Sequence, residues 1–143
     1  MTNKVEIIDY DGDLKVCNAT PHPINIKIGE VIYKIPVNNE TVIRAVELSE
    51  YHGKYKDILL YSKEYGILNE DSIKIINKII NEYNIILVGV NSAHSIIKSV
   101  KKGLIDERCL DKIYSMTRFK GFNNENGYRD KYCFGIYPIK NLK

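Results

Sequence analysis

The chain has 143 residues, 44% of them hydrophobic and 27% charged, with a formal net charge of +3. That length suits one domain over residues 1–143, and the balance is that of a globular protein in water. The longest apolar run, IILVGV, is far too short to span a bilayer, and MTNKVEIIDYDGDLK has neither the basic start nor the apolar stretch of a secretory signal.

In chain order, KVEIIDY (4–10) and DLKVCNA (13–19) are strand-like runs around a DGD turn. TPHP (20–23) is a stiff break, because two prolines fix their own φ and restrict the residues before them. INIKI alternates apolar with polar, and GEVIYKIP follows from Gly29, so the two predict a hairpin. TVIRAVEL (41–48) reads as a further strand with Arg44 inside it, and KYKDILLYSKEYGIL (54–68) as strand or extended chain.

NEDSIKIINKIINEYN (69–84) predicts a helix. It starts on Asn69, Glu70 and Asp71 and puts Ile73, Ile76, Ile80 and Tyr83 on one stripe, with Ile79 beside them. IILVGV is a continuous apolar run, as in a strand buried on both faces. NSAHSIIKSVKKG (91–103) predicts a second helix, with Ala93, Ile96, Ile97 and Val100 at helical spacing, lysines in its last turn and Gly103 as its stop. DERCLDKIYSM (106–116) reads as a shorter third helix capped by Asp106, and DKYCFGIYPI closes the chain as a strand. The expected fold class is α+β (mixed α/β), with a β-rich N-terminal half, two to three amphipathic helices and a C-terminal strand.

Cys17, Cys109 and Cys133 are odd in number and scattered, with no Cys-x-x-Cys. That pattern points to a reducing cytoplasm and away from a disulfide scaffold or a zinc site. His22, His52 and His94 form no pair at ligand spacing, and Asp9, Asp11 and Asp13 lack the loop spacing and terminal Glu of an EF-hand. No metal and no cofactor are expected. Charge is unevenly spread: residues 1–100 carry 11 Lys and Arg against 13 Asp and Glu, a balance of −2, whereas residues 101–143 carry 10 against 5, a balance of +5. Only 4 of the 21 cations are arginine, and three of these, Arg108, Arg118 and Arg129, lie in the basic tail. Arginine grips phosphate with a planar fork and stacks on rings, which lysine cannot do.

Three constellations could carry chemistry. In GVNSAHS (89–95) a strand enters a helix through Asn91 and Ser92. The free N–H groups there can receive a phosphate and the Asn91 amide can read a base or ribose, or else these two residues simply cap the helix. In SMTRFKGFNNENGYRDKYCFGIY, Arg118 and Arg129 flank a Gly/Asn-rich turn beside Phe119 and Phe122. Arginine for phosphate and a ring for a base is a nucleotide-binding recipe; the alternative is a solvated hairpin whose rings reach back to the core. Arg108, just inside a helix start, answers either an anion or a neighbouring carboxylate, Glu107 or Asp111. Eleven tyrosines suit an interface. No Ser/His/Asp or Cys/His set is defensible from the sequence alone, so no catalytic residue is assigned.

NATPHPINI, the RAVEL…YG segment, the IILVGVNSAHS joint and the arginine-studded C-terminus together resemble the first described family of Thoeris anti-defence proteins of phages and prophages. The resemblance implies a non-enzymatic molecular sponge in the cytoplasm of an infected bacterium. Such a sponge binds, without cleaving it, the cyclic ADP-ribose isomer (glycocyclic ADP-ribose) made by TIR-domain proteins, and some members also bind cyclic oligonucleotides. It implies a homo-oligomer built from dimers, with ligand sites near the subunit interface. By that resemblance Arg108, Arg118 and Arg129 hold the pyrophosphate, Asn91 and Ser92 contact ribose or base, and Tyr83, Phe119 or Phe122 stacks on adenine. Two other classes stay open: an enzyme cleaving a cyclic nucleotide with His94 or His22 as acid or base, and a small RNA-binding module using the basic, aromatic tail.

Overall fold

Ile85, Ile86 and Leu87 are too apolar to face water on either side, and in the computed structural model they form the central strand of the largest sheet. The structure describes residues 3–6, 9–10, 14–123 and 126–142, the first two stretches as backbone only. Strands are β1 Asn3–Glu6, β2 Asp9–Tyr10, β3 Leu14–Asn18, β4 Ile24–Ile28, β5 Val31–Ile35, β6 Glu47–Tyr55, β7 Ile58–Tyr65, β8 Ile85–Leu87, β9 Ile113–Met116, β10 Lys120–Asn123, β11 Arg129–Tyr132 and β12 Ile136–Pro138. Helix α1 is Glu70–Ile79 and α2 is Val90–Lys101. The fold is α+β, as expected.

The large sheet has the order β12-β9-β8-β3-β2, parallel at β3–β8 and β8–β9 and antiparallel at both edges. Its two faces are both covered. Cys17, Ile86 and Ile113 point toward Ile76 and Ile79 of α1 and Ala93 and Ile96 of α2. Val16 and Leu87 point the other way, onto Ile24 and Ile35 of a second sheet of order β1-β5-β4. The alternation of side chains along each strand produces this division. The β4–β5 hairpin forms as predicted, turning at Gly29 with φ +61, a conformation that costs glycine nothing.

Helix α1 begins where its sequence says, with the Asn69 side chain accepting from the Ser72 N–H at 2.8 Å and two acidic residues in the first turn. It ends at Ile79 rather than near Asn84, leaving Tyr83 on a turn. Helix α2 ends as predicted at Gly103, φ +77.

Three further expectations need correction. TVIRAVEL is not a strand over 41–48: strand geometry starts at Glu47, and 41–46 is irregular. The reason is a polar stripe on the buried face of α2. Ser92 Oγ donates to the Ile43 carbonyl, Ser95 Oγ accepts from the Val46 N–H, and Ser99 Oγ accepts from the Leu68 N–H. These serines, spaced 3 and 4 residues apart, satisfy backbone groups that a sheet would otherwise have paired. DERCLDKIYSM is not one helix either. It is a 3-10 helix, Glu107–Lys112, capped by Asp106 as expected, followed by β9. Finally, DKYCFGIYPI holds parts of two strands, β11 and β12, separated at Cys133–Gly135. The DGD turn lies outside the described residues.

NATPH (18–22) does more than break the chain. Asn18, 1% exposed, uses its whole amide: Nδ2 donates to the carbonyls of His22 and Ile35, and Oδ1 accepts from the Thr20 N–H and Thr20 hydroxyl. This one side chain ties the end of β3, the bend after it and the end of β5 together.

Candidate functional site

β10 and β11 pair antiparallel, with Lys120 opposite Tyr132, Gly121 opposite Lys131, Phe122 opposite Asp130 and Asn123 opposite Arg129. Alternation puts Lys120, Phe122, Asp130 and Tyr132 on one face, and Gly121, Asn123, Arg129 and Lys131 on the other. Arg118 and Phe119 lead directly into β10. The hairpin is fixed to the body through β4: Cys133 N–H donates to the Asn25 carbonyl and Lys27 N–H to the Cys133 carbonyl, both at 2.9 Å. The buried Asn25 adds its Nδ2 to the Lys131 carbonyl at 2.8 Å and to Asp130 Oδ1 at 3.2 Å.

Rings and cations interleave on this platform. Tyr132 meets Phe122 at 5.4 Å between centroids and Phe134 edge-on at 5.2 Å. Lys27 lies over Tyr132 at 5.3 Å, Lys120 over Phe134 at 5.6 Å, and Lys131 over Phe119 at 4.9 Å. Each such contact is worth about 0.5–1 kcal/mol at an exposed site. The Arg129 guanidinium lies across Gly121, where a Cβ would stand 2.7 Å from Nη2. Four of the residues expected at a site, Arg118, Phe119, Phe122 and Arg129, therefore share one hairpin. Both arginines are exposed, Phe119 and Phe122 half-buried.

The other four do not join them. Arg108 is on the 3-10 helix, 89% exposed at its side chain, with Nη2 2.8 Å from Asp106 Oδ2. Its partner is neither Glu107 nor Asp111, because the Asp106 cap already points its carboxylate at the Arg108 N–H. That pairing holds the Asp106 carboxyl down at about 2, by the Arg108 side-chain bond first and its backbone bond next. A carboxyl so lowered contributes its capping fully above its ordinary value near 4 and loses it as pH falls toward 2. An NMR titration should give a midpoint near 2 for Asp106, and Arg108→Ala should return it toward the ordinary carboxylate range.

Asn91 and Ser92 do not cap α2. The cap position is Gly89, with no side-chain bond. Asn91 is exposed beside a cleft of about 370 Å³ that Arg44 also lines, but the Ser92 hydroxyl is turned inward onto Ile43. Ser92 lines that cleft too, with its hydroxyl donating to the Ile43 carbonyl at 3.1 Å. Ser92→Ala should lower stability by about 1 kcal/mol and leave ligand binding unchanged, read by urea unfolding and calorimetry respectively.

Tyr83 lines a different cleft of about 670 Å³, with Lys15, Asn38, Asn39 and Glu40. Its hydroxyl accepts weakly from Asn38 at 3.4 Å, and burial leads the causes that push the phenol up. The clefts beside Tyr83 and Asn91 contain none of the three tail arginines. His94 stacks on Tyr65 at 5.6 Å in a further cleft with Lys63, Lys98 and Lys101, and burial pushes the thiols of Cys17, Cys109 and Cys133 up.

Sequence reasoning missed Lys27, Lys120, Lys131, Tyr132 and Phe134. The alternation KGFN and RDKYCF carries a signal for the last four. Lys27 comes from β4, more than a hundred residues before the Tyr132 ring it covers, and only the tertiary pairing reveals it. The chain matches no protein-family model, no curated protein and no solved structure.

Proposed function

We propose that this chain is an anti-defence sponge: it binds a cyclic ADP-ribose-type signalling nucleotide, glycocyclic ADP-ribose foremost, holds it uncleaved in the host cytoplasm, and so blocks TIR-based Thoeris immunity. The observation that supports this reading is the β10–β11 platform, where Lys27, Lys120 and Lys131 lie over Tyr132, Phe134 and Phe119, and the exposed Arg118 and Arg129 stand on the same hairpin, Arg129 on the face opposite Phe122 and Tyr132. Guanidinium groups suit a pyrophosphate and an exposed ring edge or face suits adenine. Nanomolar sequestration requires about −12 kcal/mol. Charge-assisted hydrogen bonds of roughly 1.5–3 kcal/mol each and a base stack of about 1–3 kcal/mol approach that only if the ligand is enclosed. One hairpin is a wall and not an enclosure, so the reading includes a homo-oligomer whose second subunit closes the site.

The test is recovery. Protein is mixed with glycocyclic ADP-ribose, filtered, heat-denatured, and the supernatant analysed by mass spectrometry. The sponge returns intact ligand in full; a linearised product refutes it in favour of an enzyme using His94 or His22. The interleaving of cations and rings on the platform also suits a second reading, an RNA-binding module. Binding to generic RNA with a steep salt dependence would select that reading instead.

A further inference from the structure

The two main sheets close on each other at one end and part at the other. Val16 and Leu87 of the large sheet meet Ile24 and Ile35 of the second, all four buried. Toward the Gly29 turn that contact is lost. Along β4, Ile24 is buried, Ile26 is half-buried and Ile28 is 51% exposed. The gap is a pocket of about 240 Å³, with Val16, Leu87 and Ile35 as its floor, and Leu14 of one sheet and Ile26 of the other as its walls. Ile28 and Phe134, the latter 56% exposed, stand at its mouth. Among the described residues that line it, the Tyr33 hydroxyl is the one polar side-chain group.

Protein interiors leave few voids larger than a water molecule, so a hydrocarbon-lined gap of this size has room for a guest. An apolar cavity of about 150 Å³ stays dry and takes benzene. In proportion, one of about 240 Å³ takes roughly nine or ten carbons. Eight of the eleven lining residues are Val, Ile or Leu. They touch an alkyl chain along its length, whereas a flat aryl group finds ring partners only at Tyr33 and Phe134. Charge says how the chain ends. Lys120 Nζ lies 5.6 Å from the Phe134 centroid, and Lys27 Nζ lies 5.3 Å from that of Tyr132, which meets Phe134 edge-on at 5.2 Å. A head group leaving the pocket past Phe134 therefore meets two ammonium groups. The turn beyond Ile28 carries the carboxylate of Glu30 instead, so an anionic head belongs on the Phe134 side. A few charged groups at one end of an apolar site are what orients a ligand in it.

We propose that the pocket between the two sheets binds a medium-chain aliphatic carboxylate, with its alkyl chain between the sheets and its head at Lys120 and Lys27. This site stands apart from the nucleotide reading, and no nucleotide enters its test. The full chain is titrated calorimetrically with octanoate, decanoate and dodecanoate. Decanoate should bind at one site with a Kd on the order of 100 µM. Each methylene from eight to ten carbons should tighten binding about fourfold. The step from decanoate to dodecanoate should gain far less, because the pocket is full. Decylammonium should bind about tenfold more weakly than decanoate at low salt, and Lys120→Glu should bring the two within about threefold. Ile26→Trp should fill the pocket and weaken decanoate binding by about twentyfold or more, with an unchanged circular dichroism spectrum. Leu14→Trp fills it from the other sheet and serves if the first variant does not fold. No saturable binding of decanoate up to about 5 mM overturns the proposal. So does uptake without a fixed stoichiometry, or a folded tryptophan variant with full affinity. Decylammonium as tight as decanoate overturns the anionic head, and an unbroken gain through dodecanoate overturns the chain length.

Discussion

Arg129→Ala should lower affinity for glycocyclic ADP-ribose by 10- to 100-fold while leaving the melting temperature of the free protein unchanged. The fold-change corresponds to losing one charge-assisted hydrogen bond, about 1.5–3 kcal/mol. The unchanged melt follows from exposure, since the guanidinium lies over Gly121 at the surface and fills no core position. Arg118→Ala should behave alike. Arg108→Ala is the control within the same basic tail: its fork is already engaged by Asp106, so affinity should hold. Gly121→Val gives a second route to the same point. The new side chain meets the end of a flexible arginine and not backbone, so it should displace the guanidinium and weaken binding without unfolding the hairpin. Calorimetric titration reads all four. Full affinity in both Arg118→Ala and Arg129→Ala would remove the hairpin from the site.

Asn18→Leu should destabilise the fold by about 3 kcal/mol, seen as a lower urea midpoint with an unchanged slope. The leucine keeps the branching at Cγ but is bulkier, and it leaves the Thr20 N–H and the Ile35 carbonyl buried without the partner that Asn18 supplied. Each such loss costs roughly 1–3 kcal/mol. Asn18→Asp should cost as much by another route, because it keeps the acceptor, loses both donors and buries a charge. A cost below 1 kcal/mol would mean that water replaces the amide, contrary to its 1% exposure.

These two residues mark what could be read from the sequence and what could not. Local chemistry was legible where one segment decides its own structure. Asn69 before the acidic pair started α1, Gly103 stopped α2, Gly29 turned β4 into β5, and the apolar run at 85–87 became a central strand. Segment 41–46 was misread because its Val and Ile content suits a strand, whereas its partners are serines on a helix some 50 residues on. The periodicity of 106–116 was shared between a short 3-10 turn and a strand, and the change falls at Ile113, where the chain enters the sheet beside β8.

The site divided along the same line. Arg118, Phe119, Phe122 and Arg129 share one hairpin, with Phe122 and Arg129 on its opposite faces, and a hairpin is a local structure. Arg108 looked equivalent by composition. Its capping aspartate two residues earlier was visible, but not that the cap would also take the guanidinium. Ser92 looked like a ligand contact because it opens a helix, and only the third dimension turns its hydroxyl toward Ile43. Tyr83 kept a cleft of its own because α1 ends early and leaves the ring on a turn beside Asn38.

The most direct measurement is hydrogen exchange of the backbone amides with and without saturating glycocyclic ADP-ribose. The account predicts that the largest added protection falls on the described part of 118–134, and that the cleft of Tyr83, Asn38 and Asn39 changes little. Protection confined to that cleft, or to the Asn91 end of α2, with none on β10 and β11, would contradict it.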